Sequence, residues 1–203
     1  NITGENLLRG SDEATTTFSD INTPCLFYKL AYGPSNTANA QVFGWYWGAK
    51  DGAALFVDGK DCKLYDSTFS DNIAYGDGGA VYWNGHNGLI RGSIFENNQA
   101  VGYGDMVNYT TVNNTNTGVI EKRYNITGGD GGAIMWRGSH GLIENSTFYK
   151  NTASNSGGAI YFTGDELENC TNLTFNECNF QENLAKLNGG AINVISVHLY
   201  NAD

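Results

Sequence analysis

The chain has 203 residues and a formal net charge of −10, with 16% charged residues, 27 glycines and two prolines. Acidity of this kind argues against nucleic acid and anionic membrane surfaces as partners, since both select basic patches. The composition fits turn-rich β structure better than helix or disorder, and no apolar run approaches the roughly 18 residues of a transmembrane helix.

Residues 1–49 follow no repeat. They open without an initiator methionine or a signal peptide, so the chain reads as a processed or trimmed product. Phe27, Tyr28, Tyr32, Phe43, Trp45, Tyr46 and Trp47 make the segment aromatic. A solenoid needs its open end covered, and a divergent aromatic segment suits a capping or edge-strand role. The alternative is a carbohydrate-stacking patch around Trp45 and Trp47.

From residue 50 to 203 the chain repeats itself. Asp77-Gly-Gly-Ala-Val-Tyr-Trp, later Gly-Leu-Ile, then Ser-Ile-Phe-Glu-Asn-Asn-Gln-Ala100, is answered by Asp130-Gly-Gly-Ala-Ile-Met-Trp through Ser-Thr-Phe-Tyr-Lys-Asn-Thr-Ala153. Worn copies begin at Asp51, Ser156 and Asn188. The steps from 51 to 77 and from 130 to 156 are 26 residues, and the step from 77 to 130 is 53. A gap of twice the unit predicts a disguised coil near 105–129, where Tyr103-Gly-Asp105 echoes Tyr75-Gly-Asp77. Periods of this length mark solenoids. The unit is too short for a βαβ crossover and lacks the 3.6-residue apolar period of helical repeats. Its short β-branched and aromatic runs, separated by Gly and Asn turns, predict three strands per coil of a parallel β-helix. The expected fold is all-β: a single-stranded solenoid of five or six coils, starting near 51, 77, 105, 130, 156 and 188, behind an N-terminal cap of residues 1–49.

Stacking at about 4.8 Å places equivalent residues in columns. Leu55, Val81, Ile134, Ile160 and Ile192 are expected to form one interior column; Phe69, Phe95, Phe148 and Phe180 form another. Asn72, Asn98, Asn151 and Asn183 predict an amide ladder at a turn, and Ala74, Ala100, Ala153 and Ala185 a tight corner.

The four cysteines allow three pairings. Cys170 with Cys178, and Cys25 with Cys62, is the preferred pairing; free buried thiols are the alternative. Asn-x-Ser/Thr sequons at Asn1, Asn108, Asn113, Asn125, Asn145, Asn169 and Asn172 support a secreted, glycosylated chain. The β-prone run Ile192–Tyr200 predicts an edge that templates another chain, either a longer parent protein or a second copy.

The alternation of Gly-Gly-Ala-Ile/Val with Phe-x-x-Asn resembles the repeat pair of chlamydial polymorphic outer membrane proteins. The string from Gly131 to Ala153 is similar also to adhesin-like surface proteins of methanogens. The resemblance covers residues 50–200 except 105–129. It implies a right-handed parallel β-helix exported to the cell surface, with adhesive or envelope-building roles.

Parallel β-helices also carry polysaccharide lyases and hydrolases, whose sites cluster carboxylates with a cation on one face. Asp77, Asp105 and Asp130, with Asp51, form a candidate calcium column, but Ser156 and Asn188 take the same place, which favours a turn-forming role. His86 and His140 are expected two coils apart, near 10 Å, too far to share a metal. Trp83, Trp136 and Phe162 read as packing. No catalytic residue or bound cofactor is expected, since fold alone licenses no activity. The sequence therefore points to an extracellular, non-catalytic surface module. Its expected partners are surface glycans or other cells; the alternative is a self-assembling sheath, filament or surface-layer subunit.

Overall fold

The computed structural model describes residues 51–102, 128–163 and 172–195, together with the backbone of the strands Asn6–Leu8, Thr16–Phe18, Leu26–Tyr28, Leu30–Tyr32, Tyr109–Asn114 and Val119–Tyr124. None of these residues is helical.

After each Gly-Gly-Ala the chain passes through four sheets in a fixed order. The first stacks Leu55–Val57, Val81–Trp83, Ile134–Trp136, Ile160–Phe162 and Ile192–Val194. The second stacks Lys63–Tyr65, Leu89–Arg91, Gly141–Glu144 and Leu173–Asn176. The third stacks Thr68–Ser70, Ile94–Glu96, Thr147–Tyr149 and Asn179–Gln181. Two-residue strands at Ile73–Ala74, Gln99–Ala100, Thr152–Ala153 and Leu184–Ala185 make the fourth. Every pairing in these sheets is parallel, and the fold is a parallel β-helix. Its coils hold four strands where the sequence predicted three. The extra strand follows the turn after the phenylalanine column, where two residues pair before the glycine corner.

Three of the corners turn on a single left-handed residue. These are Asp61, Asn87 and His140 at the first; Asp66, Gly92, Asn145 and Glu177 at the second; and Asp71, Asn97, Lys150 and Glu182 at the third, with φ between 46° and 64°. Asn, Asp and Gly tolerate that region best, which explains the turn-rich composition. The fourth corner is the Gly-Gly pair. Gly131 has φ +65°, and a Cβ on Gly132 would collide with the carbonyl oxygen of Gly158 in the next coil. The pair thus combines a left-handed turn with a close backbone approach that only glycine permits.

The predicted columns are present. Leu55 stands beneath Val81, Ile134, Ile160 and Ile192 in one register, and the first four are fully buried. Phe69, Phe95, Phe148 and Phe180 stack with ring centroids 4.8–5.0 Å apart and interplanar angles of 4°, 2° and 6°. Leu64, Ile90 and Ile143 fill a third interior column, and Trp83 lies flat on Trp136 at 4.8 Å. Each such side chain contributes roughly 1.5–3 kcal/mol by burial.

The coil expected near 105 does not exist. The rungs that start at 77 and 130 are direct neighbours: Val81 pairs with Ile134, Phe95 with Phe148, and Ala100 with Ala153. The intervening residues instead contain an antiparallel hairpin, in which Tyr109–Asn114 pairs with Val119–Tyr124. Its feet meet: an ideal Cβ on Gly129 would lie 3.1 Å from the Gly102 nitrogen. The 53-residue step is therefore one coil plus an insertion at the glycine corner.

The segment set apart as a cap supplies strands to three of the same sheets. Thr16–Phe18 pairs parallel with Leu55–Val57, and Leu26–Tyr28 with Lys63–Tyr65. Leu30–Tyr32 pairs with both Asn6–Leu8 and the third sheet.

Candidate functional site

The polar side chains singled out in the sequence lie at the corners, where their bonding partners decide what they can do. Asn72 donates its backbone N–H and its Nδ2 to Oδ1 of Asn98, at 3.1 and 2.8 Å. Asn98 repeats both bonds to Asn151, and Asn151 both to Asn183. The second Nδ2 hydrogen reaches back to a phenylalanine carbonyl, Phe69 from Asn98 and Phe95 from Asn151. Asn72, Asn98 and Asn151 are almost completely buried. Buried amides of this kind are stabilising only when every hydrogen bond is met, and the continuous ladder meets them.

A second ladder escaped the sequence reading. The backbone N–H of Ser67 donates to Ser93 Oγ, and that of Ser93 to Ser146 Oγ, both at 3.2 Å. Each hydroxyl donates to the carbonyl two residues earlier. Cys178 takes the same rung, its thiol donating to the carbonyls of Ile143 and Asn176 while the Ser146 amide faces the sulfur. The signal was the recurring Ser-x-Phe: Ser67, Ser93, Ser146 and Cys178 each stand two residues before a stacked phenylalanine. Burial is the main influence raising the Cys178 thiol above its ordinary value.

Cys178 is a free thiol, so the expected Cys170–Cys178 bridge is not formed. The reason is positional: Cys178 points into a serine rung of the corner. Cys62 is disulfide-bonded; Cys25 and Cys170 lie outside the described residues.

The calcium candidates are bound up in the glycine corner. Asp51 Oδ1 accepts the Asp77 amide, Asp77 Oδ1 the Asp130 amide and Asp130 Oδ1 the Ser156 amide, each at 2.9 Å. Asp105 lies outside the described residues, and the column passes from Asp77 to Asp130 without it. Burial pushes the Asp130 carboxyl upward against the pull of the Ser156 amide and the Asn155 side chain. Among the described residues no cluster of three or more His, Cys, Asp or Glu side chains is placed to hold a metal.

The two histidines belong to adjacent coils, not to coils two apart as expected, because no coil intervenes. They are not equivalent. His86 Nδ1 accepts the Ser139 amide at 3.1 Å and lies 2.7 Å from Ser139 Oγ. His140 is the exposed left-handed turn residue that answers Asn87. Trp83 and Trp136 are wholly buried, their Nε1 groups donating to the carbonyls of Gly85 and Gly138.

The outward side of the first sheet carries its own column: Phe56, Tyr82, Met135 and Tyr161. Phe56 and Tyr82 stack at 4.9 Å and 2°, and Arg137 donates to the Tyr82 hydroxyl at 3.2 Å. Rings stacked along the axis cover each other's faces and offer only edges, so they make a poor sugar platform. Tyr161 is raised by burial first, then by the nearby carboxylates of Asp130 and Asp77. Trp45 and Trp47 lie outside the described residues. Among the sequons, Asn145 and Asn172 are exposed and Asn113 stands on the hairpin; Asn1, Asn108, Asn125 and Asn169 lie outside the described residues.

Among the described residues the last rung differs from those below it. Leu173, Phe175, Phe180 and Ile192 continue the core columns but are only partly buried. Leu184, Leu187, Val194 and Ile195 are 63%, 69%, 56% and 45% exposed. Residues 196–200 of the run expected to template another chain lie outside the described residues.

Fold and corners together define a parallel β-helix repeat protein whose polar side chains bond coil to coil. Residues 66–82 and 145–163 match the Chlamydia polymorphic membrane protein repeat. Each matched stretch begins at a left-handed corner, at Asp66 or Asn145, and runs through Phe-x-x-Asn and Gly-Gly-Ala into the next strand of the first sheet. The resemblance read from the sequence is thus to a repeat that the chain carries. No curated protein and no solved structure gives a significant match. Among the described residues no helix is long and apolar enough to cross a membrane.

Proposed function

We propose that the protein is a non-catalytic β-helix displayed at the cell surface or in the cell envelope, where it acts as an adhesin-like or envelope-building module. One observation carries the reading. The Asp, Asn and Ser side chains that would supply an active site act as rungs of hydrogen-bond ladders, in a repeat of the type named for a polymorphic membrane protein. Side chains held this way build a stiff rod and present its outer faces and loops to partners. Protease shaving of intact cells, followed by peptide mass spectrometry, tests the placement: peptides from the insertion 103–127 should be released. Their appearance only after lysis would overturn it. A glycan array with Trp45→Ala and Trp47→Ala controls tests an adhesive role.

A second reading rests on the last described rung. Its partly buried core residues and exposed Leu184, Leu187 and Val194 fit a self-assembling subunit of a sheath, filament or surface layer, since uncovered strand edges template further pairing.

A further inference from the structure

The asparagines of the ladder and of the first corner are held by neighbouring coils. Asn72, Asn98 and Asn151 bond along their column, while Asn84 Nδ2 donates to Asp58 and Asn87 Nδ2 to Asp61. Asn145 is held differently. It is the left-handed residue of the second corner, with φ 47°, and it is exposed. Its backbone N–H donates to the Asn176 carbonyl, but its side-chain amide meets no partner among the described residues. Two residues on, Thr147 opens its strand of the third sheet half-exposed, and its hydroxyl also bonds none of the described residues. Ser146, between them, is buried in its own ladder. The corner thus turns the two recognition groups of the Asn145-Ser-Thr sequon outward and the spacer inward.

We infer that Asn145 carries an N-linked glycan; the inference rests on the cell-surface reading. A sequon accepts a bulky sugar where its asparagine is free at the surface. An asparagine committed to a coil-to-coil bond would have to break that bond to hold the sugar. Asn145 breaks none, and the same corner carries Asp66 and Glu177 in other coils, so side chains of different length fit there. The transfer forms a bond from Asn145 Nδ2 to C1 of the sugar. The bond from C1 to the phosphate of a lipid-linked oligosaccharide breaks; the phosphate leaves with the electron pair, and the amide proton passes to a base of the transferase. Asn172 has the same features. It is exposed, its carbonyl accepts the Gly141 N–H, its side chain meets no described partner, and Thr174, two residues on, is exposed. Asn172 precedes its strand of the second sheet and Asn145 follows the neighbouring one. Two glycans therefore flank the outer face of that sheet, where Arg91 pairs with Glu144 and lies over Tyr65.

The test is mass spectrometry of the chain recovered from the surface of intact cells. Trypsin cuts after Arg137 and Lys150, so the peptide Gly138–Lys150 holds Asn145 as its only sequon. That peptide should carry a sugar mass in the parent and in Thr147→Ser, and none in Thr147→Ala. Asn145→Gln, at a corner that accepts Glu177, should lose the sugar too. Thr147→Ala and Thr174→Ala should each lower the mass of the whole chain by one glycan. A sugar that persists on the peptide in Asn145→Gln would place it on a serine or threonine and overturn the assignment. Unmodified Asn145 in chains recovered from the surface would overturn the glycan and leave the surface placement standing. Recovery of the chain only after lysis would overturn both.

Discussion

At the scale of single residues, the corner side chains act as structural hydrogen-bonding groups rather than as surface decoration. Asn98 accepts two bonds from Asn72 and donates to Asn151 and to the Phe69 carbonyl. Asn98→Ala therefore orphans several buried groups at about 1–3 kcal/mol each, and urea unfolding should show a loss of at least about 2 kcal/mol. Cys178→Ser restores the side chain found on the three rungs below it and should change stability by less than about 1 kcal/mol. Alkylation of Cys178 at neutral pH should be slow, because burial holds the thiol above its ordinary value. Asp130 gives a pH signature. Its folded-state carboxyl lies above the ordinary carboxylate value of 3.8, so the folded state binds the extra proton. Its contribution is fully present below pH 3.8 and is lost as pH rises through the folded value. Asp130→Asn keeps an oxygen for the Ser156 amide and removes the buried charge. Its urea midpoint should equal or exceed that of the parent at pH 7, with the difference shrinking as the pH falls toward 3.8.

At the scale of elements, the hairpin and the coils are separable. Gly102 and Gly129 are already adjacent, and the rungs on either side of the insertion pair with each other. Replacing residues 103–127 by a two-residue link should leave the cooperative urea transition in place; loss of that transition would show that the hairpin is part of the solenoid. Phe148→Ala, in the middle of the stacked column, should instead cost about 3–5 kcal/mol. The sequence was legible for the coils because each rung repeats the same buried residues at the same spacing. It was misleading at 105–129 because an insertion happened to have nearly the length of a coil, and spacing alone cannot tell a rung from a loop. The missing Gly-Gly-Ala and Phe-x-x-Asn were the better guide. Those residues build the corner and fill the column, and a hairpin needs neither.

At the scale of the molecule, each coil touches only its neighbours, so stability is a sum of rung and interface contributions. Hydrogen exchange should be slowest for the amides of Val81–Trp83 and Ile134–Trp136, which have rungs on both sides, and markedly faster for Leu173–Asn176 and Asn179–Gln181. Uniform protection would contradict this picture. By itself the sequence determined the parallel stacking, the Ile, Phe, Asn and Ala columns and the use of glycine at one corner. Those features follow from the local chemistry of a repeated unit, and a period fixes which residues align. Only the tertiary structure decided that the rungs of 77 and 130 are neighbours, that His86 meets Ser139 rather than His140, that Cys178 fills a serine's place, and that the ladders point toward one end. Each of these depends on which coil lies next to which, a long-range relation that an insertion shifts without leaving a mark on the local pattern.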